Sequence, residues 1–226
     1  MTFPFARQAA AVAGKDLRIE VRGRYALGAV LPFAATVLVS FGLSLGPGRR
    51  FLQQTAPGLL WMAVTFAGVL SSRRSYEAEA EDGALEGLLL SPADKAAIYL
   101  GKAAAVALQL LVLEVLVVGL TAALFDLSLG SDPARLAAGF ALGTVGLAAV
   151  GALFGALDVS ARAREAVFPL LVLPLAAPVL VAGVKTTALA TSGRGAEAGG
   201  WLGLLLAFDL VILAAGTLVY GHLLED

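Results

Sequence analysis

Uncharged apolar runs recur along the chain at residues 25–45, 51–72, 136–157 and 166–184. Each is close to the roughly 20 residues that a helix needs to cross a hydrocarbon core. Two more runs, 103–125 and 201–220, are each interrupted by one acid, Glu114 and Asp209. In the first, thirteen Val, Leu and Phe side chains contribute about −0.3 to −0.6 kcal/mol each against about +3 kcal/mol for a central acid. Insertion wins, and the pattern predicts an all-α membrane protein of six transmembrane helices in a single domain.

Placement of Lys and Arg sets the orientation. With the N-terminus inside, the inner side receives Arg7, Lys15, Arg18, Arg22, Arg24, Arg73, Arg74, Lys95, Lys102, Arg162 and Arg164, and the outer side only Arg49, Arg50, Arg135, Lys185 and Arg194. Both termini are expected to be cytoplasmic. Trp201 and Tyr220, near the ends of the last span, fit interfacial aromatic belts. Residues 1–24 and the apolar run after them are too long for a cleavable signal with its core of roughly 7 to 15 residues, so a retained segment is expected. Arg7, Lys15, Arg18 and Arg22 fall on one side of a helix. That spacing suggests a helix lying at the inner leaflet, although Val12, Ile19, Leu17 and Val21 flank the stripe on both sides, which also suits a loosely ordered basic tail.

Between the second and third spans lies a charged island, RRSYEAEAEDGALEGLLLSPADKAAIYLGK, from Arg73 to Lys102. Glu77, Glu79, Glu81, Asp82 and Glu86 concentrate negative charge, while Leu85, Leu88 and Leu89 recur at the spacing of one helical face. Gly83 and Gly87, one turn apart, remove bulk where another backbone could approach. Ser91, Pro92 and Asp94 read as an N-cap, a first helical proline and a capping acid, giving the third span a sharp start. A solvated loop explains the acids. A docking surface for a soluble partner also explains the apolar face and the cap.

Composition narrows the classes. Only 15% of residues are charged and 59% are hydrophobic, which excludes a water-soluble globule. A net charge of −1 without a basic tract sets nucleic acid aside as a partner. The absence of cysteine removes disulfides, thiolate metal sites and thioether haem attachment. His222 is the only histidine, and Met1 and Met62 are the only methionines. They form no persuasive axial pair for a haem iron, and no catalytic residue or metal site is expected. Glu114 and Asp209 are the intramembrane acids, able to bind a cationic group, relay protons or hydrogen-bond between helices. The fourth span carries Gly139, Gly143, Gly146, Gly151 and Gly155, small enough for close helix contact either within the bundle or between two copies. Pro169, Pro174 and Pro178 punctuate the fifth span, as fixed kinks or as a gate.

The segment YEAEAEDGALEGLLLSPADKAAIYLGK resembles the E-x-E-x-G-x-L-E-x-L-L-x-x-P segment of ABC-exporter permeases. With KDLRIEVRGR at 15–24, ARARE at 161–165 and WLGLLLAFDL at 201–210, the chain is similar over essentially its whole length to the CcmB family of cytochrome c biogenesis permeases. The resemblance implies a non-catalytic permease subunit in a bacterial inner membrane. Its expected partners are an ABC ATP-binding subunit, a haem-handling membrane subunit and, indirectly, a periplasmic haem chaperone, with two permease copies per complex. Haem would be a transported substrate rather than a resident cofactor, and ATP would be used by the partner. Consistent with a motor elsewhere, G-x-x-x-x-G-K-[ST] does not occur, since Gly101-Lys102 is followed by Ala103. Residues 73–95 would be the coupling loop, with Glu77, Glu79, Glu81, Asp82, Gly83, Leu85, Glu86, Gly87 and Leu88 facing the ATPase. An ABC exporter for lipid, polysaccharide or drug, or an intramembrane enzyme using Glu114, Asp209 and His222, are the competing readings.

Overall fold

Seven long helices account for most of the chain in a computed structural model that describes residues 4–46, 48–81, 93–129, 131–160 and 167–223. Helix α1 (Phe5–Gly23) precedes a π-helical turn (Ala26–Val30) that runs into α2 (Leu31–Ser44). Then come α3 (Arg49–Glu81), α4 (Lys95–Phe125), α5 (Pro133–Ser160), α6 (Val167–Thr191) and α7 (Gly199–Leu223). Six of these elements, from the π turn with α2 onwards, are long and apolar enough to cross a membrane, and no strand occurs among the described residues. The chain is a multi-pass membrane protein.

Helix α1 is ordered as a helix and packs along α4. A Cβ at Gly101 would stand 2.6 Å from the Ala9 carbonyl oxygen and 2.7 Å from Val12 Cβ, so the crossing of α1 over α4 depends on the missing side chain. Arg7, Arg18 and Arg22 face outward while Asp16 is buried. The chain leaves α1 at Arg24, whose φ of 51° is left-handed. Glu20 holds the exit from both sides, its carbonyl accepting from Arg24 N at 2.6 Å and its Oε1 from Ala26 N at 2.6 Å. The wide π turn ends just before Pro32, which has no N–H to offer the carbonyl four residues back.

Each span shows a buried stripe towards its neighbours and a lipid-facing remainder. In α2 and the turn before it the stripe is Ala26, Val30, Ala34 and Leu38, four residues apart throughout. In α7 it is Leu205, Asp209, Ile212, Gly216 and Tyr220, while Leu206, Leu210, Val211 and Leu218 stay exposed. Apolar residues point outward here because lipid, not water, meets them.

Helix α5 touches four neighbours, α3, α4, α6 and α7. Its glycines are contact points within the bundle, which decides between the two possibilities that the sequence left open. A side chain at Gly139 would strike Thr186 of α6, at Gly143 Trp61 of α3, at Gly146 Asp209 and Val179, at Gly151 Ser72, and at Gly155 the ring of Tyr76. Trp61 is also cradled by Gly183 of α6, stacks on Phe140 with centroids 5.4 Å apart, and donates from Nε1 to Thr187 Oγ1 at 2.9 Å. Pro174 and Pro178 lie inside α6 without ending it.

Four expectations are corrected. Helix α4 extends the apolar run 103–125 back to Lys95, and residues 73–81 belong to α3, so the charged island is shorter at both ends. Asp94, not Ser91, is the N-cap of α4, with extended backbone and Oδ1 accepting from Ala96 N at 2.9 Å; Ser91 and Pro92 themselves lie outside the described residues. Lys102 is not a surface cation but is fully buried. Tyr220 is also fully buried, because its hydroxyl finds a partner inside the bundle rather than in a headgroup layer.

At the end away from α1 the loops are tied by charge. Asp126, in left-handed conformation after α4, pairs with Arg49 and accepts from Gln53 Nε2 through its carbonyl at 2.8 Å. Arg135 binds Asp132 at 2.5 Å, and Arg194 grips Glu197 through two bonds of 2.6 and 2.7 Å. Hydrogen bonding to the Arg135 guanidinium holds the Asp132 carboxyl below its ordinary range.

The glycine face of α5 makes a measurable demand. Gly143→Val should lower the thermal stability of the purified protein in mild detergent by the equivalent of about 1–3 kcal/mol or prevent its accumulation, the usual result of overpacking. Gly119→Val and Gly203→Val, where a new Cβ meets nothing within 4 Å, should leave the melting temperature near that of the parent.

Candidate functional site

Two sets of polar groups lie inside the apolar bundle, and only one was anticipated. Glu114, on the buried stripe of α4, is 3% exposed and its Oε1 accepts from Thr144 Oγ1 of α5 at 2.6 Å. Asp209, on the inward stripe of α7, is likewise 3% exposed. Its carboxyl enters the notch left by Gly146, where a Cβ would come within 2.7 Å of Oδ1 and 2.9 Å of Val179. Neither Asp209 oxygen has a hydrogen-bond partner among the described residues. The two acids are not one site. Thr144 and Gly146 are two residues apart on α5 and so point roughly 200° apart around it, and each serves a different helix interface.

The unanticipated set lies under α1. Lys102 of α4 is 0% exposed, with Nζ 3.4 Å from Asp16 Oδ2 of α1 and 3.4 Å from Ser75 Oγ of α3. Ser75 donates to Asp16 Oδ2 at 3.1 Å, and Lys15 Nζ stands 3.2 Å from Oδ1. The Lys102 ammonium also lies 4.2 Å from the centroid of Tyr76, within cation–π range. Tyr76 in turn donates to the Ala152 carbonyl of α5 at 2.6 Å, and its hydroxyl meets that of Tyr220 at 3.0 Å. Tyr99 leans on Tyr220 with centroids 5.4 Å apart, reaches the Ala149 and Ile212 carbonyls at 3.1 and 3.3 Å, and fills the space opened by Gly216. One connected polar network thus joins α1, α3, α4, α5 and α7 at a single end of the bundle. A small cavity of about 130 Å³ opens beside it, lined by Asp16, Ser71, Arg74, Ser75 and Gln109 among others.

The sequence held a signal for this network. Lys102 stands inside an otherwise apolar stretch, AIYLGKAAAVAL, and a lysine there needs an acid within reach. Asp16 and Ser75 could be named as partners only once α1 was known to lie across α4. Among the described residues no arginine or lysine pairs with Glu114 or Asp209, and Lys102 is twelve residues from Glu114, more than three turns along α4.

Of the residues expected to face a soluble partner, Asp82, Gly83, Leu85, Glu86, Gly87 and Leu88 lie outside the described residues. Glu77, Glu79 and Glu81 belong to the last turns of α3, which directs the chain into that segment. Its other end is pinned, since Asp94 N donates to Gln8 Oε1 of α1 at 2.8 Å. Met62 faces outward from α3, and His222 lies in the last turn of α7.

A model of the CcmB protein family matches residues 7–225. The chain belongs to the CcmB family. It is 35% identical over 213 residues to the heme exporter protein B of Pseudomonas aeruginosa, covering 89% of this chain and 92% of that one. It is 33% identical over 211 residues to the protein of the same name in Rhodobacter capsulatus, covering 92% and 90%. The match to the Paracoccus denitrificans protein is 32% over 203 residues, covering 88% and 90%. In this CcmB chain the α1 helix from Arg7 onward, the lysine network and both intramembrane acids all fall within the matched residues.

The Asp16–Lys102 pair should show the energetics of a buried ion pair, for which removing one partner costs about 3–5 kcal/mol while replacing both with apolar groups is near neutral. Lys102→Met or Asp16→Leu alone should therefore destabilise the protein strongly in thermal melts in detergent. The double variant should recover most of the loss. Additive losses would show that the two side chains are not coupled.

Proposed function

We propose that this chain is the permease subunit of an inner-membrane ABC complex for cytochrome c maturation, acting in haem export and driven by ATP hydrolysis in a separate subunit. Family membership over residues 7–225 supports the machine, and the relatives bear the name heme exporter protein B. The observation that carries the coupling is the position of the lysine network. Residues 82–94 lie between α3 and α4. Ser75 lies six residues before the last residue of α3, and Lys102 seven residues after the first of α4. At 1.5 Å per residue those groups sit about 10 Å from the helix ends. A partner pressing on the acidic segment thereby presses on the two helices whose side chains close the network, and α1, packed along α4, is bonded to Ser75 of α3 through Asp16. Lys102 cannot serve a nucleotide, being enclosed by Asp16, Ser75 and Tyr76, so the phosphate-binding lysine belongs to the ATPase.

In this reading α1 and both termini face the cytoplasm, and the acidic residues Glu77, Glu79, Glu81, Asp82 and Glu86 dock the ATP-binding subunit. The haem-handling subunit and a second permease copy would meet the lipid-facing sides, and a periplasmic haem chaperone would act at the far end. Asp209 is the acid with most to gain from the cycle, since its carboxyl has no fixed partner among the described residues. Glu114 already has Thr144.

Three measurements follow. The purified chain should hydrolyse no ATP, and reversing Glu81 and Asp82 to arginine should weaken copurification of an ATPase, with added salt weakening the parent complex because exposed pairs are screened beyond about 8–10 Å. Full copurification of that double variant would remove the docking assignment. For orientation, cysteine at Ala196 should react with a membrane-impermeant maleimide in intact cells and cysteine at Ala10 should not, both positions being exposed. Gly195 is unsuited to such a probe, because a side chain there would strike Asp132. Glu114→Gln should preserve holocytochrome c yield, since an amide oxygen still accepts from Thr144. Asp209→Asn should assemble normally and lower the yield at least several-fold, and an unchanged yield would leave Asp209 a packing group.

A further inference from the structure

The far end of the bundle carries a cleft of about 340 Å³ between α3, the turn after α4 and the end of α6. Its floor is apolar, formed by Pro57, Leu127 and Ala188, and its rim carries Arg50, Gln53 and Gln54 with hydroxyls from Ser128, Thr191 and Ser192. No acid lines it. The charges around it are otherwise matched one to one. Asp126 pairs with Arg49, Asp132 with Arg135, and Glu197 with Arg194. Of the five cations at this end, Arg50 and Lys185 are left without an acidic partner among the described residues, and Arg50 is the one on the cleft rim. Gln53 is held by Asp126, so the rim offers the Arg50 guanidinium beside the Gln54 amide; over an apolar floor this pair matches an anion with a hydrophobic body, and the guanidinium fork fits a carboxylate through two parallel bonds.

We infer that this cleft binds an apolar ligand bearing a terminal carboxylate, with Arg50 and Gln54 on the carboxylate and Pro57, Leu127 and Ala188 under the apolar body. The inference deepens the permease reading and rests on it only for the side of the membrane that the cleft faces. Binding itself does not depend on orientation, so a failed titration leaves the permease assignment standing.

The test uses the full chain in zwitterionic phosphatidylcholine nanodiscs, with protoporphyrin IX as a dicarboxylate probe and its dimethyl ester as the matched neutral control. Trp61 reports occupancy, because it lies one turn below Pro57 and its indole is bonded to Thr187, next to Ala188. A Trp201→Phe background removes the other tryptophan. The dicarboxylate should quench Trp61 saturably, the diester should bind at least tenfold more weakly, and Arg50→Gln should weaken the dicarboxylate by a similar factor. Arg135→Gln, a cation off the cleft lining, should leave binding unchanged. Equal binding of acid and ester, indifference to Arg50→Gln, or displacement of the probe when phosphatidylglycerol replaces phosphatidylcholine would each overturn the proposal, the last by assigning the rim to a lipid phosphate. Since Arg50 is exposed and has no intramolecular partner among the described residues, its glutamine variant should fold as the parent does.

Discussion

Close approach to one helix organises this protein. Helices in lipid gain little from hydrophobic association, so their contacts rest on van der Waals fit and on interhelical hydrogen bonds. Helix α5 supplies the fit by presenting glycine wherever a neighbour brings bulk or polarity: Trp61, Ser72 and Tyr76 from α3, Thr186 from α6, Asp209 from α7. Because these glycines face several directions, α5 can be surrounded rather than merely flanked. Two buried polar groups use glycine notches as well, one on α5 and one on α7. Asp209 occupies the space at Gly146, and Tyr99 the space at Gly216.

The two ends of the bundle treat charge differently. At the far end, arginines and acids pair at the surface between residues close in sequence or in adjoining turns, as Arg135 with Asp132 and Arg194 with Glu197. Exposed pairs of this kind add little stability, and they leave the helix ends free to form a rim. At the α1 end, the charge goes inside. A buried lysine is tolerable only with an acid and further hydrogen-bonding groups around it, and Lys102 has Asp16, Ser75 and the face of Tyr76. That arrangement makes α1 part of the fold rather than an appendage at the inner leaflet, because without Asp16 the lysine loses its acid. It also places a high-stakes polar network one to two turns from the segment on which a motor subunit would act.

Much of this was legible in the chain. Spans are set by length and hydropathy alone, and the six expected spans match the six helices able to cross a membrane, even where Glu114 and Asp209 interrupt them. Their ends were less legible. The acids of residues 77–81 read as loop, yet α3 carries them as helix to Glu81, because a helix leaving the bilayer has no reason to stop at the membrane surface. Lys102 read as a surface cation because hydropathy cannot see that α1 folds back over α4. The stripe of arginines on α1 was visible, but its buried Asp16 was not, since an acid among basic residues looks like ordinary surface charge. The glycine pairs of the fourth span announced close contact without naming the contacts, which depend on three-dimensional neighbours such as Trp61 and Tyr76.

In the proposed permease, the network beneath α1 would transmit the partner's ATP cycle to the spans. The most direct measurement uses the Asp16→Leu, Lys102→Met double variant, in which apolar replacement of both partners preserves the fold while the polar link between α1 and α4 is removed. In the assembled complex, ATP hydrolysis and holocytochrome c yield are measured on the same cells and preparations. Normal assembly and continued ATP hydrolysis are expected, with the yield of holocytochrome c reduced at least tenfold. A fully assembled complex that hydrolyses ATP and matures cytochrome c at the parental level would contradict this.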